Sequence, residues 1–446
     1  MNLLERCRQH GWRRLAFIGI AKHAGKTTAL NRFLHELAEA GGGEEEGKSR
    51  EESGHASGHS GEPLRANTGE RESHRSQIGV GLLSIGLDGE RRDTILGVPK
   101  PRVYAEVGTL IASAEGALLD SEARFEWIEE LPISSPLGPI MIARVTTPGP
   151  VVLAGIRQRA HVRLAAERLE ALGCEYILVD GAFDRVAAAA PTLVDAAVLA
   201  VGAVVGSTVS EVLQHAWPVI ERFALPETDE PWKQLFGSVR DEGAAGIAVL
   251  QPTVHHLASR DSEARDSVMT HSSEGVTGEG VSREDGVFEH VSVLRLPRDA
   301  VMFDVTRQMG WSDAVIGVYI PGAVTDGVIG GLLRHPSPLQ IVADHPAQIL
   351  ISESTHRKMA RHGHQLTVWD RLPLAAIAVN PHHIAGADLP RDELLRQVAS
   401  IAGDVPVYDA MDHLPSQGLR ANEAEPSGLS ALSEKATGAS GEGSIR

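Results

Sequence analysis

Leu15-Ala-Phe-Ile-Gly-Ile20-Ala-Lys-His-Ala-Gly25-Lys26-Thr27-Thr28 is the stretch on which the fold of this chain turns. Residues 15–20 are an unbroken apolar run, the pattern of a short strand buried on both faces. From Thr27 onward the period changes, and Leu30, Phe33, Leu34 and Leu37 recur at helical spacing up to residue 40. Strand, loop and helix make one βα unit, and the loop has the composition of a phosphate cradle. Gly25 supplies flexibility, Lys26 can reach terminal phosphates, and the Thr27 hydroxyl suits Mg²⁺. Backbone amides at the helix start point toward the ligand, and the helix dipole adds positive potential there. Lys22, His23, Ala24, Gly25, Lys26, Thr27 and Thr28 are therefore the expected cofactor-binding residues, with ATP and Mg²⁺ as the cofactors. The loop is one residue longer than the GxxxxGK[ST] pattern: counting back from Gly25 places Ile20 at the first-glycine position and Gly19 one step earlier. Gly-Lys-Thr also suits an ordinary helix start capped by Thr27, and the apolar strand just before it favours the cradle.

A carboxylate that holds Mg²⁺ belongs at the end of a buried strand beside this one. Tyr176-Ile-Leu-Val-Asp180-Gly181 fits, so Asp180 joins Thr27 as an expected metal ligand. An Asp that merely opens a turn is the plainer alternative. Asp88 and Glu90 follow the strand expected at residues 78–85, where such folds place a carboxylate that positions water or metal. With Lys26 they form the expected catalytic set, although Asp88-Gly89 is also a good turn pair. Asp184-Arg185 would respond to a γ-phosphate as a switch segment does, or close a loop salt bridge. Lys22 lies near the second lysine of the deviant Walker A group, one residue out of register, and equally reads as a solvated loop lysine.

Other chemistry finds less support. The sequence contains no CxxC, HExxH or GxSxG, which disfavours zinc and serine hydrolases. His255-His256 and His382-His383 are adjacent pairs whose side chains diverge on any regular element, so they read as loop histidines. Asn380-Pro381 ends an apolar strand, as a turn or as a contact to a nucleobase.

Strand and helix alternate through most of the chain, which implies an α/β fold: a three-layer, mostly parallel sheet of P-loop NTPase type, with a second smaller α/β block and disordered insertions. Helices are expected at residues 107–114, 160–172 with Leu164, Leu169 and Leu172 on its apolar face, and 209–223. The expected domains are a nucleotide-binding unit at 1–254, interrupted by a disordered insertion at 41–77; a linker at 255–289; a second α/β domain at 290–414; and a disordered tail at 415–446.

Across 446 residues, 42% are hydrophobic but only 4% aromatic, a bias that suits aliphatic parallel strands and leaves few stacking platforms for single-stranded nucleic acid. A net charge of -17 argues against a general nucleic-acid binder, which needs basic surface to displace counterions. The longest apolar stretch, residues 194–206, is interrupted by Asp195 and too short to span a bilayer. Cys7 and Cys174 sit in different elements, and no signal-peptide pattern opens the chain, so a cytoplasmic location is expected.

Five segments together resemble one family: Gly19-Ile-Ala-Lys-His-Ala-Gly-Lys-Thr-Thr28, Ser84-Ile-Gly-Leu-Asp-Gly-Glu90, Lys100-Pro-Arg-Val-Tyr104, Val179-Asp-Gly-Ala-Phe-Asp-Arg185 and Val201-Gly-Ala-Val-Val205. The pattern is similar to the KamB-type subunit of the lysine 5,6-aminomutase reactivase, over the ordered part of residues 13–206 and more loosely through Val379-Asn-Pro381. The resemblance implies a partner, a larger MutS-like ATPase, and a client, an aminomutase whose adenosylcobalamin and pyridoxal phosphate chemistry has stalled. Its loop residues map onto Lys22, Gly25, Lys26, Thr27, Asp88, Glu90 and Asp180. The sequence has no DxHxxG cobalamin loop, so any corrinoid link comes from the resemblance alone. The competing expectations are a cofactor-biosynthesis enzyme resembling dethiobiotin synthetase or the molybdopterin-guanine adaptor protein, and a non-catalytic nucleotide-binding adaptor.

Overall fold

Helix α1 (Leu3–His10) opens on Asn2, whose side chain accepts from Glu5 N at 2.8 Å while Glu5 accepts from Asn2 N at 3.1 Å, a reciprocal cap, and it closes on Gly11 at φ 71°. Strand β1 (Arg14–Gly19) and helix α2 (Lys26–Gly42) follow. The computed structural model describes residues 2–42, 78–85, 102–181, 191–250, 291–298, 314–384 and 386–412. The insertion expected at 41–77, the linker at 255–289 and the tail at 415–446 lie largely or wholly outside the described residues.

The next elements are β2 (Val80–Ile85), β3 (Val103–Ala105), β4 (Leu110–Ala114), α3 (Glu115–Leu119), β5 (Arg124–Ser135), β6 (Gly138–Thr147), β7 (Gly149–Val151), α4 (Arg159–Ala171), β8 (Tyr176–Gly181) and β9 (Ala196–Gly202). After them come α5 (Val209–Ala224), α6 (Glu230–Asp241), β10 (Ala245–Leu250), β11 (Val291–Leu296), β12 (Val315–Ile320), β13 (Val324–Thr325) and α7 (Asp326–Leu332). The chain continues through β14 (Gln340–Ala343), β15 (Ile349–Leu350), α8 (Glu353–His362), β16 (Gln365–Val368), β17 (Leu374–Asn380), α9 (Arg391–Ile401) and β18 (Val407–Asp409).

The fold is mixed α/β with open sheets. The larger sheet has nine strands in the order β18-β17-β9-β1-β8-β2-β4-β6-β5. From β18 to β4 all neighbours are parallel, and the hairpin β5-β6 extends the β4 edge in antiparallel fashion. Alternation along β1 explains its unbroken apolar sequence. Leu15 and Phe17 pack with Leu30, Phe33 and Leu37 of α2 and with Leu3 and Leu4 of α1 on one face. Ala16 and Ile18 pack with Val162 and Leu169 of α4, Val212 and Ile220 of α5, and Leu394 of α9 on the other. Helices on both faces keep a central parallel strand out of water, and each fully buried Leu or Phe contributes about 1.5–3 kcal/mol.

A smaller sheet runs β11-β10-β12-β14-β16, with β12, β14 and β16 parallel. Phe236 and Val239 of α6 cover one face with Tyr319 and Trp369, while Ile329 and Leu332 of α7 and Met359 of α8 cover the other.

Three expectations change. The boundary near residues 255–289 does not separate the sheets: β10 lies before it yet belongs to the smaller sheet, and β17 and β18 lie after it yet join the larger one. The chain leaves the larger sheet after β9 and returns beside it, with Ile377 opposite Leu199. An apolar run marks a buried strand but does not name its partner, which explains the error. Residues 110–114 of the helix expected at 107–114 are strand β4, preceded by a turn with Gly108 at φ 89°. All five β4 residues are buried, so the run carries no period that could distinguish helix from central strand. Helix α4 forms close to its expected bounds, but Leu164 is 37% exposed, and Val162, Ala165, Ala166 and Leu169 make its inner face. Among the described residues, no helix is long and apolar enough to cross a membrane.

Candidate functional site

The loop between β1 and α2 lies at the carboxyl edge of the larger sheet, where parallel α/β sheets bind ligands. Two strand ends, those of β9 and β17, support it. Ile20 N donates to Ala200 O at 3.0 Å, tying the loop's first residue to β9. Gly202, the last residue of β9, faces Ala24 so closely that a Cβ there would lie 2.6 Å from Ala24 O. Asn380, the last residue of β17, sits against Gly25, whose own Cβ would meet that of Asn380 at 2.9 Å. Gly202 and Asn380 are paired in register, so the two supports stand side by side.

Gly25 adopts φ 101°, a conformation that L side chains rarely enter, so this glycine is required by both backbone and space. His23 is also left-handed, at φ 64°, and Ala24 N closes a turn onto Ala21 O at 3.4 Å. Gly19 lies within β1, where a Cβ would come within 3.0 Å of Lys26 Cγ, so the lysine stem runs over a position that must stay small. Lys22 is exposed, Ala24 buried, and Lys26, Thr27 and Thr28 half-buried at the start of α2, whose first turn carries no acid to compete for an anion.

Strand β8 lies beside β1, with Asp180 opposite Phe17. Asp180 therefore lies one residue before the end of the neighbouring strand, in the Asp-Gly order that the sequence pattern anticipates. Lys26 Nζ donates to Gly181 O at 2.5 Å, so the lysine spans from its own helix to the end of β8. Asp88, Glu90, Asp184 and Arg185 lie outside the described residues.

Neighbouring contacts hold α2 in place. Asn31 Nδ2 donates to Arg102 O at 2.9 Å and Asn31 Oδ1 accepts from Tyr104 N at 2.9 Å, fastening β3 to the helix. Arg32 donates to the carbonyl oxygens of Asp409 and Asp412, and its guanidinium lies 4.8 Å from the Tyr408 ring. Beyond Asn380, His382 N donates to Asn380 Oδ1 at 3.1 Å, and the His382 ring is 2.9 Å from Asp388. Asp388 is held below its ordinary pKa, chiefly by the hydrogen bond from His383 N and further by His382.

Among the described residues, no group of three or more His, Cys, Asp or Glu side chains could hold a metal by itself. Thr27 and Asp180 offer a hydroxyl and a carboxylate, oxygen donors of the kind Mg²⁺ takes while it keeps waters and draws its other ligands from phosphate. Among the described residues, the donor set is of the kind that a phosphate-bound Mg²⁺ uses and does not form a metal cage by itself. Sequence reasoning did not find Gly202 and Asn380 as supports of the loop. Their signals were a glycine closing an apolar run and an Asn-Pro step, and neither reveals which loop rests on it. Compared with known protein families, curated proteins and solved structures, the chain matches none.

Proposed function

We propose that this chain is a P-loop protein of the three-layer NTPase type that binds Mg-ATP between β1 and α2. The seating of the Gly25-Lys26 loop on Gly202 and Asn380, with Lys26 reaching the end of β8, is the observation that carries this reading. In it, the loop amides and Lys26 bind phosphate oxygens, Thr27 and Asp180 orient Mg²⁺, and Gly25 lets the backbone approach the phosphates. The lysine would exchange its Gly181 carbonyl for the phosphates as nucleotide arrives. Bound Mg-ATP supplies the phosphoryl group and its charge; the chain supplies orientation.

The family resemblance of the loop and strand motifs supports a more specific role. In that role the protein is the cytoplasmic ATP-binding component of a reactivating factor for the adenosylcobalamin-dependent lysine 5,6-aminomutase, working with a MutS-like ATPase and coupling ATP to release of damaged cofactor. Two measurements test the two levels. Calorimetric titration with Mg-ATP should show one site, weakened about 10- to 100-fold in Lys26→Ala, the loss of one charge-assisted hydrogen bond. Unchanged affinity sinks the site assignment. Inactivated aminomutase should regain activity when this protein, its ATPase partner and ATP are added, and no recovery sinks the reactivase role.

A further inference from the structure

Asn380, the last residue of β17, is only 8% exposed, and its carboxamide is already engaged. Its Oδ1 accepts from His382 N at 3.1 Å, and its Nδ2 lies so close to Gly25 that a Cβ there would come within 3.0 Å. Asn380 is thus committed to bracing the phosphate loop and presents little edge to a ligand. Beyond it the chain closes a loop on itself. Leu389 N donates to Pro381 O at 3.0 Å, and Asp388 Oδ1 accepts from His383 N at 3.0 Å. The same Oδ1 lies 2.9 Å from His382 Nδ1, yet both side chains remain 61% exposed.

A carboxylate beside a histidine sets the tautomer of the ring. Asp388 is held charged, below the usual carboxylate range, chiefly by the His383 N–H, so it can only accept. His382 Nδ1 therefore carries the proton, and in the neutral ring Nε2 is a hydrogen-bond acceptor. Strand order decides what lies beside it. Lys26 reaches Gly181 at the end of β8, and Asp180 belongs to the same strand, so the terminal phosphate and its metal fall on the β8 side of β1. The nucleoside then extends the other way, across β9 toward β17, which is two strands or about 10 Å from β1. His382, whose backbone is bonded to the residue that touches Gly25, stands at that far end. Adenine offers a donor there, its 6-amino group, where guanine offers the O6 acceptor. An acceptor at Nε2 pairs with the first and opposes the second.

We propose that His382, held by Asp388, is the base-reading residue of the nucleotide site and selects adenine through a hydrogen bond from the 6-amino group to Nε2. This rests on the Mg-ATP reading above, and it concerns the base where that reading concerns the phosphates.

The full chain is titrated calorimetrically with the magnesium complexes of ATP, GTP, purine riboside triphosphate (ATP without its 6-amino group) and inorganic tripolyphosphate. The buffer is set roughly two units above the ordinary imidazole value of about 6.5. ATP should bind about 3- to 10-fold more tightly than purine riboside triphosphate, the worth of one hydrogen bond, and GTP more weakly than either. His382→Phe keeps a planar ring and loses the acceptor, so it should bring ATP and purine riboside triphosphate to equal affinity. Asp388→Ala keeps the ring and releases its tautomer, so it should shrink the preference; thermal melts establish that each variant is folded. No preference for ATP in the unmodified chain, or an undiminished preference in either folded variant, would overturn the proposal. Tripolyphosphate separates the two readings: if it binds while the bases are not distinguished, the phosphate loop stands and the base assignment falls, and if no triphosphate binds, both fall.

Discussion

Gly202→Ala is a one-methyl perturbation aimed at the support beneath the phosphate loop. Gly202 has φ -117° and ψ 151°, extended values open to any residue, so glycine is there for space and not for conformation. The added Cβ would lie 2.6 Å from Ala24 O, 2.7 Å from Ala24 Cα and 2.9 Å from Ala24 C. An ordinary contact is about 3.5 Å, so something must move by roughly 1 Å. Strand β9 is paired on both sides, with β1 and β17, and cannot yield cheaply. The loop yields instead, carrying Ala24 and Gly25 away from the place where their amides would meet phosphate. Overpacking of this kind costs about 1–3 kcal/mol of stability, toward the low end where a surface loop relaxes. Hydrogen bonds to charged groups contribute about 1.5–3 kcal/mol each, so losing two weakens Mg-ATP binding by about 100-fold or more. Calorimetric titration gives the affinity, and urea unfolding separates it from stability. A folded Gly202→Ala protein that binds Mg-ATP as tightly as the unmodified chain would refute this reasoning, because the loop could not then rest on β9 as described.

Gly237 lies inside α6 with open space where its Cβ would be, so Gly237→Ala should raise stability by about 0.5–1 kcal/mol in urea unfolding, and any loss would show that this space is not open. His345 is 5% exposed, neither ring nitrogen has a hydrogen-bond partner, and its pKa falls from 6.5 to about 4, first through burial and then through Arg159. The folded chain thus resists a proton that the unfolded chain accepts near pH 6.5. Its contribution to stability is whole above that pH and declines as pH drops toward 4, by up to about 3 kcal/mol at about 1.4 kcal/mol per pH unit. His345→Phe should remove that part of the slope between pH 4 and 6.5, and an identical slope in the variant would assign acid sensitivity to other groups.

The βα unit around Gly25-Lys26 was legible because it is local. Residues 15–20 need both faces buried, residues 30–37 carry a helical stripe, and the change of period places the loop between them. Asp180 was legible for the same reason, as a carboxylate closing an apolar run. Its neighbour relation to β1 was an inference from the fold class, and the register of Phe17 with Asp180 now gives it geometry. Residues 110–114 were misread because a run buried on both faces has no period.

By itself, then, the sequence determined which segments must leave water, and with what period: the apolar strand before the loop, the stripe of α2 and the run that becomes β17. Only the tertiary structure decided partnership. It brought Asn380 against Gly25 across 355 positions of chain, set Gly202 beneath Ala24, and drew β17 and β18 back into the larger sheet while giving β10 to the smaller one. Burial is a property that each residue carries in its own chemistry, whereas pairing depends on backbone hydrogen bonds, which every residue but proline offers alike, so register and neighbourhood emerge only when the whole core is assembled.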